Sequence, residues 1–369
     1  MTRGRALTIV VAVVFLAYGA GVTAASGSAG LPPSLKLRRT AEALAEAGQA
    51  CQRPPGSPEG LRYFQFCDAL LAQRAAFGGT QNVNERSTLN PEPRTVRVGI
   101  TGPRGGYAVI TMPTETYVAR VLAGEAARDS RPPALEALAI TIRTFALANR
   151  GRHRADGFDL CDQTHCQVVR AATAVTEHAA EATTGRVLLR DGAPASVYYT
   201  ASCGGRTEIP SHVWPGAEDP PFLPSREDEA CQGEPAWSAE IQDTDLLRAL
   251  RASGFRGDGL REVRIASRNA SGRVARLRLD GLRPEQISGQ DFRVAVGRTL
   301  GWQHIKSTTF ELSRHGRLYR FSGRGSGHGV GMCVIGSARL AERGVSAEAI
   351  LALYFPGLEI STPGRQTSR

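Results

Sequence analysis

The stretch that decides the fold is residues 95–127, where two strand-like runs precede an amphipathic helix. The runs TVRVGI (95–100) and GYAVITM (106–112) have the composition of β-strands, and TETYVARVLAGEAA (114–127) has the apolar period of a helix. The polar segment before them, GGTQNVNERSTLNPEP (78–93), is rich in turn residues and is typical of a linker. We therefore expect a folded domain to begin where this linker ends.

Glu125 is predicted on the buried face of this helix. Val118 and Leu122 stand seven and three positions before it, and such positions share one side of a helix. A carboxyl group on an apolar face loses hydration, which raises its pKa toward the range in which a general acid works. The structural alternative is a helix cap or an ion pair with Arg128 or Arg143.

A second helix and a series of short strands follow. After RDSRPP (128–133), whose prolines suit a first helical turn, apolar residues recur at helical spacing from Leu135 to Phe145. Beyond residue 180 the chain is a succession of strand-like runs separated by turn residues, and a helix pair is predicted near its end. The pattern predicts an α+β fold of mixed, mainly antiparallel strands, with a helical subregion that carries Glu125.

The first residues have the pattern of an export signal. Arg3 and Arg5 precede an apolar run over residues 6–20, and small residues follow at 22–24, as signal peptidase requires. This predicts a signal peptide and a protein exported to the periplasm or cell envelope. An uncleaved leader that holds the chain at the membrane is the alternative.

Between the leader and the main domain the sequence predicts a small helical hairpin. Two helix-like runs, 40–50 and 61–76, place Cys51 and Cys67 at their facing ends, so we expect a disulfide to join them. The expected divisions of the chain are 1–24 (signal peptide), 25–93 (hairpin and linker), 94–362 (main domain) and 363–369 (tail).

The chain is basic and has the composition of a globular protein. Its 369 residues are 41% hydrophobic, and the formal net charge of +10 falls to +8 when Arg3 and Arg5 leave with the leader. This charge suits an anionic envelope polymer or a membrane surface, or reflects an arginine-rich proteome. Nucleic acid is not expected as a partner, because the arginines are scattered and are not interleaved with aromatic residues.

A second candidate site is SGRGSGHGVGMC (322–333), in which every second residue is glycine over nine positions. In an extended chain all the glycines would share one face, and Arg324, Ser326 and His328 would share the other. The bare face would allow close approach of a ligand or of another backbone. The alternative is a tightly packed strand or bulge with a solvated His328.

A third candidate is YYTASCGGRTE (198–208), where Ser202 and Cys203 follow a predicted strand. Either residue could be a nucleophile, but the glycine-flanked elbow of serine hydrolases is absent. We favour a disulfide between Cys203 and Cys231 over a catalytic thiol.

The stretch DLCDQTHCQ (159–167) has the residue types of a metal site. His153, Cys161, His165 and Cys166 would give a closed Cys2His2 set of zinc ligands. The alternative is a Cys161–Cys166 disulfide, which closes so short a loop that it would contribute only about 2 kcal/mol, whereas structural zinc can contribute about 10 kcal/mol or more.

Six motifs follow one another along the chain: YVARVLAGEA (117–126), EALAITIRTFALANRG (136–151), GFDLCDQTHCQVV (157–169), YYTASCGGRTE (198–208), GRGSGHGVGMC (323–333) and ILALYFPG (350–357). In this order they resemble the stage II sporulation protein D family, which also contains the amidase enhancer. The resemblance extends from about Arg94 to Gly357.

The resemblance implies a lytic transglycosylase that cuts peptidoglycan glycan strands, preferably strands stripped of stem peptides. In the family one glutamate does the chemistry, and its place matches Glu125. It would protonate the glycosidic oxygen and then take the proton of the muramyl C6 hydroxyl, which closes on C1 to give a 1,6-anhydro end. The residues that the resemblance implies in glycan binding are Arg143, Tyr199, Ser202, Gly204, Gly205 and His328.

The resemblance also favours structural zinc over a disulfide, because family members hold zinc in the corresponding stretch. The ion would be bound by His153, Cys161, His165 and Cys166, and would brace the helix after Glu125 without taking part in the chemistry.

Two other functions compete with this one. A non-catalytic module could bind denuded glycan and stimulate a cell-wall amidase, since a fold does not guarantee its chemistry. A hydrolase with Cys203 as nucleophile would instead be inactivated by thiol alkylation.

Overall fold

The structure is a computed structural model that describes residues 95–102 and 105–361. Within these residues, α-helices alternate with small, mostly antiparallel sheets, which confirms the predicted α+β class. The predicted signal peptide, the hairpin with Cys51 and Cys67, and the tail at 363–369 lie outside the described residues. None of the described helices is both long and apolar enough to span a membrane.

The secondary-structure elements are numbered in chain order. The helices are α1 (Thr114–Glu125), α2 (Pro132–Ala148), α3 (Ala174–Ala182), α4 (Pro210–Val213), α5 (Asp243–Ala252), α6 (Gly289–Leu300), α7 (Val334–Glu342) and α8 (Ala347–Tyr354). The strands are β1 (Thr95–Thr101), β2 (Tyr107–Pro113), β3 (Leu160–Cys161), β4 (Val187–Arg190), β5 (Ala193–Pro194), β6 (Tyr199–Thr200), β7 (Trp237–Gln242), β8 (Glu262–Arg268), β9 (Val274–Asp280), β10 (Gln286–Ser288), β11 (Phe310–His315), β12 (Leu318–Gly323), β13 (Met332–Cys333) and β14 (Glu359–Ser361).

The opening strands and helix form as the sequence predicts. Strands β1 and β2 pair antiparallel, with Thr101 opposite Tyr107, and β3 adds in parallel on the other edge of β1. Val96 and Val98 of β1 are buried, whereas the side chains of β2 are mostly exposed. Helix α1 starts directly after β2 and buries its apolar face under this sheet and the neighbouring helices.

Helix α2 is the central element of the first hydrophobic core. The predicted apolar stripe from Leu135 to Phe145 is buried, and so are most residues on its other sides. Helices α1, α3, α7 and α8 pack around it. The hydroxyls of Thr141 and Thr144 are satisfied inside this buried helix, because they donate to the carbonyls of Ala137 and Ile140.

A second hydrophobic core occupies the segment between β7 and β12. Two three-stranded antiparallel sheets, β11-β12-β7 and β10-β9-β8, enclose it together with α5 and α6. Phe292, Phe310 and Phe321 pack against one another at its centre, with ring centroids 5.6–6.4 Å apart. The first core contains residues on both sides of this segment in the sequence, so the segment is an insertion in the first core.

Candidate active site and metal centre

Glu125 is the last residue of α1 and is held by a segment that crosses the end of that helix. The backbone N–H of Val168 donates to Oε1 of Glu125 at 2.9 Å. Gly124 makes this crossing possible, because a Cβ at Gly124 would lie only 2.5 Å from the Val168 carbonyl oxygen. The crossing continues where Arg170 N donates to the Arg120 carbonyl at 3.0 Å.

The surroundings of Glu125 favour its neutral form. The residue is half-buried, and loss of hydration raises the pKa of its carboxyl group, although the Val168 N–H and the nearby charge of Arg170 act against this. Its position also places a negative charge at the negative end of the helix dipole. No second carboxyl group among the described residues contributes to the raised pKa. Neither of the predicted ion pairs, with Arg128 or Arg143, forms.

A chain of hydrogen bonds lies beside Glu125. Tyr117 donates to Oε1 of Gln167 at 2.9 Å, and Nε2 of Gln167 donates to the hydroxyl of Tyr199 at 3.2 Å. Burial, and next the charge of Glu125, raises the pKa of Tyr199 well above its usual range, so this phenol stays protonated. The structure therefore brings Tyr199 to Glu125, and it adds Gln167, which the sequence did not single out.

His328 lies among aromatic side chains instead of in solvent. Its ring is 5.0 Å from that of Trp214 and 6.3 Å from that of Tyr198, measured between centroids. Burial, followed by the charges of Arg293 and Arg273, lowers the pKa of His328 to about 3, so the imidazole is neutral at ordinary pH. Such a half-exposed aromatic group suits stacking on the face of a sugar ring.

The glycine-rich segment is not the extended strand that the sequence predicted. Gly325, Gly327, Gly329 and Gly331 all have positive φ, so the chain turns repeatedly and its glycines do not share one face. The expected close approach of another backbone does occur: a Cβ at Gly325 would lie 2.8 Å from the Ser202 carbonyl oxygen.

The Ser202–Gly205 turn packs against the glycine-rich segment. Ser202 and Ser326 exchange two backbone hydrogen bonds of 2.9 Å, and the Ser202 side chain is buried. Gly204 and Gly205 have positive φ and are half-buried. The turn thus supports the strand that carries Tyr199, and Gly204 also lines a small surface pocket with Gln232.

Arg143 has a structural place that the sequence did not suggest. Its side chain is 0% exposed and makes a bidentate ion pair with Glu115. The remaining guanidinium donors reach the carbonyls of Arg186 and Ala180 and the hydroxyl of Thr183. Because every donor group is directed into the protein, Arg143 joins α2 to α1 and α3 and does not face the candidate site.

Four side chains of the DLCDQTHCQ region converge on one point and could hold a metal ion. The donor atoms of His153, Cys161, His165 and Cys166 all lie within 4.8 Å of one another. Nδ1 of His165 is 3.6 Å from Sγ of Cys166 and 3.3 Å from Nε2 of His153. The other ring nitrogen of His153 lies 2.7 Å from the carboxylate of Asp156, an arrangement that orients metal-binding histidines.

The electrostatics of this group favour a thiolate, the form of cysteine that binds metals. Hydrogen bonds from Cys166 and then from His153 and His165 hold the pKa of Cys161 well below its usual range, although burial opposes them. Cys166 is followed directly by Gln167 and Val168, which contact the site of Glu125. The group thus lies between His153, which follows the end of α2, and this crossing segment, and its bracing of the helix after Glu125 stays a prediction.

No disulfide joins the described cysteines. Cys161 and Cys166 are free thiols, as are Cys203, Cys231 and Cys333. The predicted Cys203–Cys231 bond is therefore not formed, although both thiols belong to one buried group. A nucleophilic Cys203 also lacks support, since its thiol is 1% exposed and donates to the buried carboxylate of Asp228 at 3.1 Å.

Two family models match parts of this chain. A family model described as stage II sporulation protein matches residues 104–189, the segment that carries Glu125 and the four possible metal ligands. A model described as a domain of unknown function (DUF8618) matches residues 219–331, which include the second core. Together with the named relatives, the first of these matches supports the family of stage II sporulation protein D and the amidase enhancer as the one that the chain resembles.

Individual relatives agree with this assignment. Stage II sporulation protein D of Bacillus amyloliquefaciens is 25% identical over 86% of this chain and 88% of its own length. The amidase enhancer of Bacillus subtilis is 24% identical over 62% of this chain and 38% of its own length. An uncharacterized protein of Brachyspira hyodysenteriae is 26% identical over 67% of this chain, which spans 66% of that protein.

Proposed function

We propose that the protein is an exported lytic transglycosylase that cleaves peptidoglycan glycan strands to 1,6-anhydromuramyl ends, with Glu125 as both acid and base. The observation that carries the proposal is a single half-buried carboxyl group whose pKa is raised by burial and which no second carboxylate accompanies among the described residues. An inverting hydrolase needs a second carboxylate, about 6.5–9.5 Å away, to activate water. A transglycosylase does not, because the substrate supplies its own nucleophile.

The steps need only the one carboxyl group. Protonated Glu125 gives its proton to the glycosidic oxygen as the C1–O bond breaks, and the carboxylate formed then removes the proton of the C6 hydroxyl. O6 bonds to C1, so Glu125 is protonated again and no water is consumed. Tyr199 and Gln167 offer polar groups next to the reacting carboxyl group, and Trp214 with His328 offers a face for a neighbouring sugar.

The product distinguishes this reaction from its alternatives. Peptide-free glycan strands digested by the wild-type protein in ¹⁸O-labelled water are expected to give ends that lack one water and carry no label. Labelled reducing ends would instead identify a hydrolase. Uncut strands that remain bound to the protein would favour a second candidate, the accessory function suggested by the similarity to the amidase enhancer. Stimulation of a purified cell-wall amidase would then test that function.

We further propose that the ion held by His153, Cys161, His165 and Cys166 is zinc. Two thiolates and two imidazoles are the ligands that zinc prefers in closed tetrahedral sites. In such a site the ligand atoms are about 3.3–3.8 Å apart, since zinc bonds are about 2.0–2.3 Å long. A group within 4.8 Å therefore needs only a small contraction. The ion would be structural, and no step of the reaction passes through it.

Removal of one ligand tests this role. His165→Ala is expected to abolish binding of the ion and to lower the cleavage rate by about 10- to 100-fold, because a displacement of ~1 Å at a reacting group can cost that much. His178→Ala is the matched control, since His178 is exposed on α3 and is not in this group. Zinc content and cleavage rate measure the effect. An unchanged rate in a variant that has lost this ion would refute the bracing role.

A further inference from the structure

A second group of metal-ligating side chains lies in the first hydrophobic core. The thiols of Cys203, Cys231 and Cys333 and the carboxylate of Asp228 have donor atoms that all lie within 4.8 Å of one another. Each of these residues is 4% exposed or less. We propose that these four side chains, here called the buried Cys3Asp group, form a second, structural zinc site.

The geometry of the buried Cys3Asp group suits a tetrahedral ion. Four ligands around zinc are about 3.5–3.8 Å apart, and an aspartate oxygen is an accepted fourth ligand beside thiolates. The ligand atoms here are already close to that spacing. Three sulfur donors exclude magnesium and calcium, which bind oxygen, and favour zinc among the common divalent ions.

Charge is the second argument for a cation. The carboxylate of Asp228 is buried, and no arginine or lysine pairs with it among the described residues. The nearest buried guanidinium, that of Arg273, donates instead to the Cys203 carbonyl at 2.6 Å. Buried charges are normally paired or bound to metals. A divalent ion at the centre of the group would balance this carboxylate and the thiolates together.

The surrounding donors are arranged as around a metal site. The hydroxyl of Tyr354 donates to Oδ2 of Asp228 at 2.8 Å and would leave that carboxylate oriented toward the ion. The backbone N–H groups of Cys203 and Gly336 both donate to Sγ of Cys333 at 3.3 Å. Cys333 is also the N-cap of α7, so the Gly336 N–H belongs to the first turn of that helix, and the two donors fix the position of Sγ.

A disulfide explains this group less well than a metal. A Cys203–Cys231 bond would leave the thiol of Cys333 outside the bond and would bring no positive charge to the buried carboxylate of Asp228. Among the described residues, that carboxylate would then accept only the hydrogen bonds of Tyr354 and the Cys231 N–H. A metal uses all four groups. It would also tie together three irregular pieces of chain: the turn after β6, the short 3-10 helix Glu229–Cys231, and the end of the glycine-rich segment at Cys333. These pieces carry or adjoin Tyr199 and His328, so the ion would fix the positions of these two residues in the candidate active site.

The test counts zinc in the full mature chain. Cys51 and Cys67 are replaced by serine throughout, so that no thiol outside the described residues contributes. With this background we expect two zinc ions per chain, one after His165→Ala with Cys166→Ser, and none when Cys231→Ser is added. If the last variant does not fold, cobalt loaded into the folded His165→Ala, Cys166→Ser protein provides the second readout. Its absorption should show tetrahedral coordination with three cobalt–thiolate bonds.

A milder substitution probes the site without removing a ligand. Tyr354→Phe is expected to lower zinc affinity by about 10- to 100-fold, as the loss of a ligand-orienting partner does. Tyr198→Phe is the control, because the Tyr198 hydroxyl accepts a hydrogen bond from Ser196 and bonds to no member of the group, so the zinc affinity of this variant should equal that of wild type. The proposal is overturned if the His165→Ala, Cys166→Ser protein binds no zinc. It is equally overturned if peptide mapping of zinc-replete protein finds a Cys203–Cys231 disulfide.

Discussion

Glu125→Gln is expected to lower the rate of glycan cleavage by about 1,000-fold while glycan binding persists, because general acid–base catalysis contributes about 10²–10⁴-fold. Glutamine keeps the size of the side chain and can still accept the hydrogen bond from Val168 N. It cannot donate a proton to the glycosidic oxygen or take one from the C6 hydroxyl. The measurement is the initial rate on peptide-free strands, together with retention of the same strands by the immobilised protein.

A stability measurement shows that this loss is not caused by unfolding. Burial raises the pKa of Glu125 in the folded state above its value in the unfolded chain. The folded state therefore loses stability as pH rises from the unfolded pKa through the folded pKa, because Glu125 must then be charged in a buried place. Glu125→Gln removes that cost, and we expect it to unfold at higher denaturant concentration than wild type near neutral pH. The difference should vanish below a pH of about 4, where both states of a glutamate are protonated.

Glu177→Gln is the matched control for both measurements, since Glu177 is an exposed glutamate on α3. It should change neither rate nor stability. A Glu125→Gln protein that cleaves at the wild-type rate would remove the transglycosylase proposal. A variant that loses stability at neutral pH would instead contradict the assigned surroundings of the carboxyl group.

Arg143→Met is expected to destabilise the protein by about 3–5 kcal/mol, the usual cost of removing one partner of a buried ion pair. The substitution leaves Glu115 without its partner and the carbonyls of Arg186 and Ala180 without donors. Arg143→Lys should lose much of the same stability, because a single ammonium group cannot make the paired hydrogen bonds of the planar guanidinium group. Denaturant unfolding measures both variants.

This experiment also separates the structural place of Arg143 from the glycan contact expected from the sequence. A structural residue changes unfolding but leaves KM of the folded fraction unaltered, whereas a substrate contact would raise KM with little loss of stability. Arg150→Met is the control, since Arg150 is 38% exposed and its nearest carboxylate, on Asp159, is 4.0 Å away. Its effect should lie within about 0.5 kcal/mol.

The sequence predicts best what depends on local spacing. The period of apolar residues within about thirty positions predicts the strands β1 and β2 and the helices α1 and α2. It also predicts that Glu125 lies on the buried face of α1. The group of four possible metal ligands also follows in part, because Cys161, His165 and Cys166 are close in the chain.

Contacts between distant segments are what the sequence could not supply. Glu115 and Arg143 are 28 positions apart, and only the packing of α1 on α2 brings them together. The same holds for Val168 and Glu125, which are 43 positions apart. The alternating glycines were assigned to an extended strand because period two is a strand signal, yet glycine also permits the positive φ that the chain adopts.

The segment that forms the second core, from β7 to β12, has its two ends side by side, because Trp237 at its start pairs with Gly323 at its end. A segment whose two ends are neighbours can be acquired, exchanged or lost by a lineage without opening the fold that hosts it. The chain thus consists of a first core and an inserted second core whose two ends meet. Glu125 and the four possible metal ligands lie outside this segment, so a change within it leaves their positions in the sequence untouched.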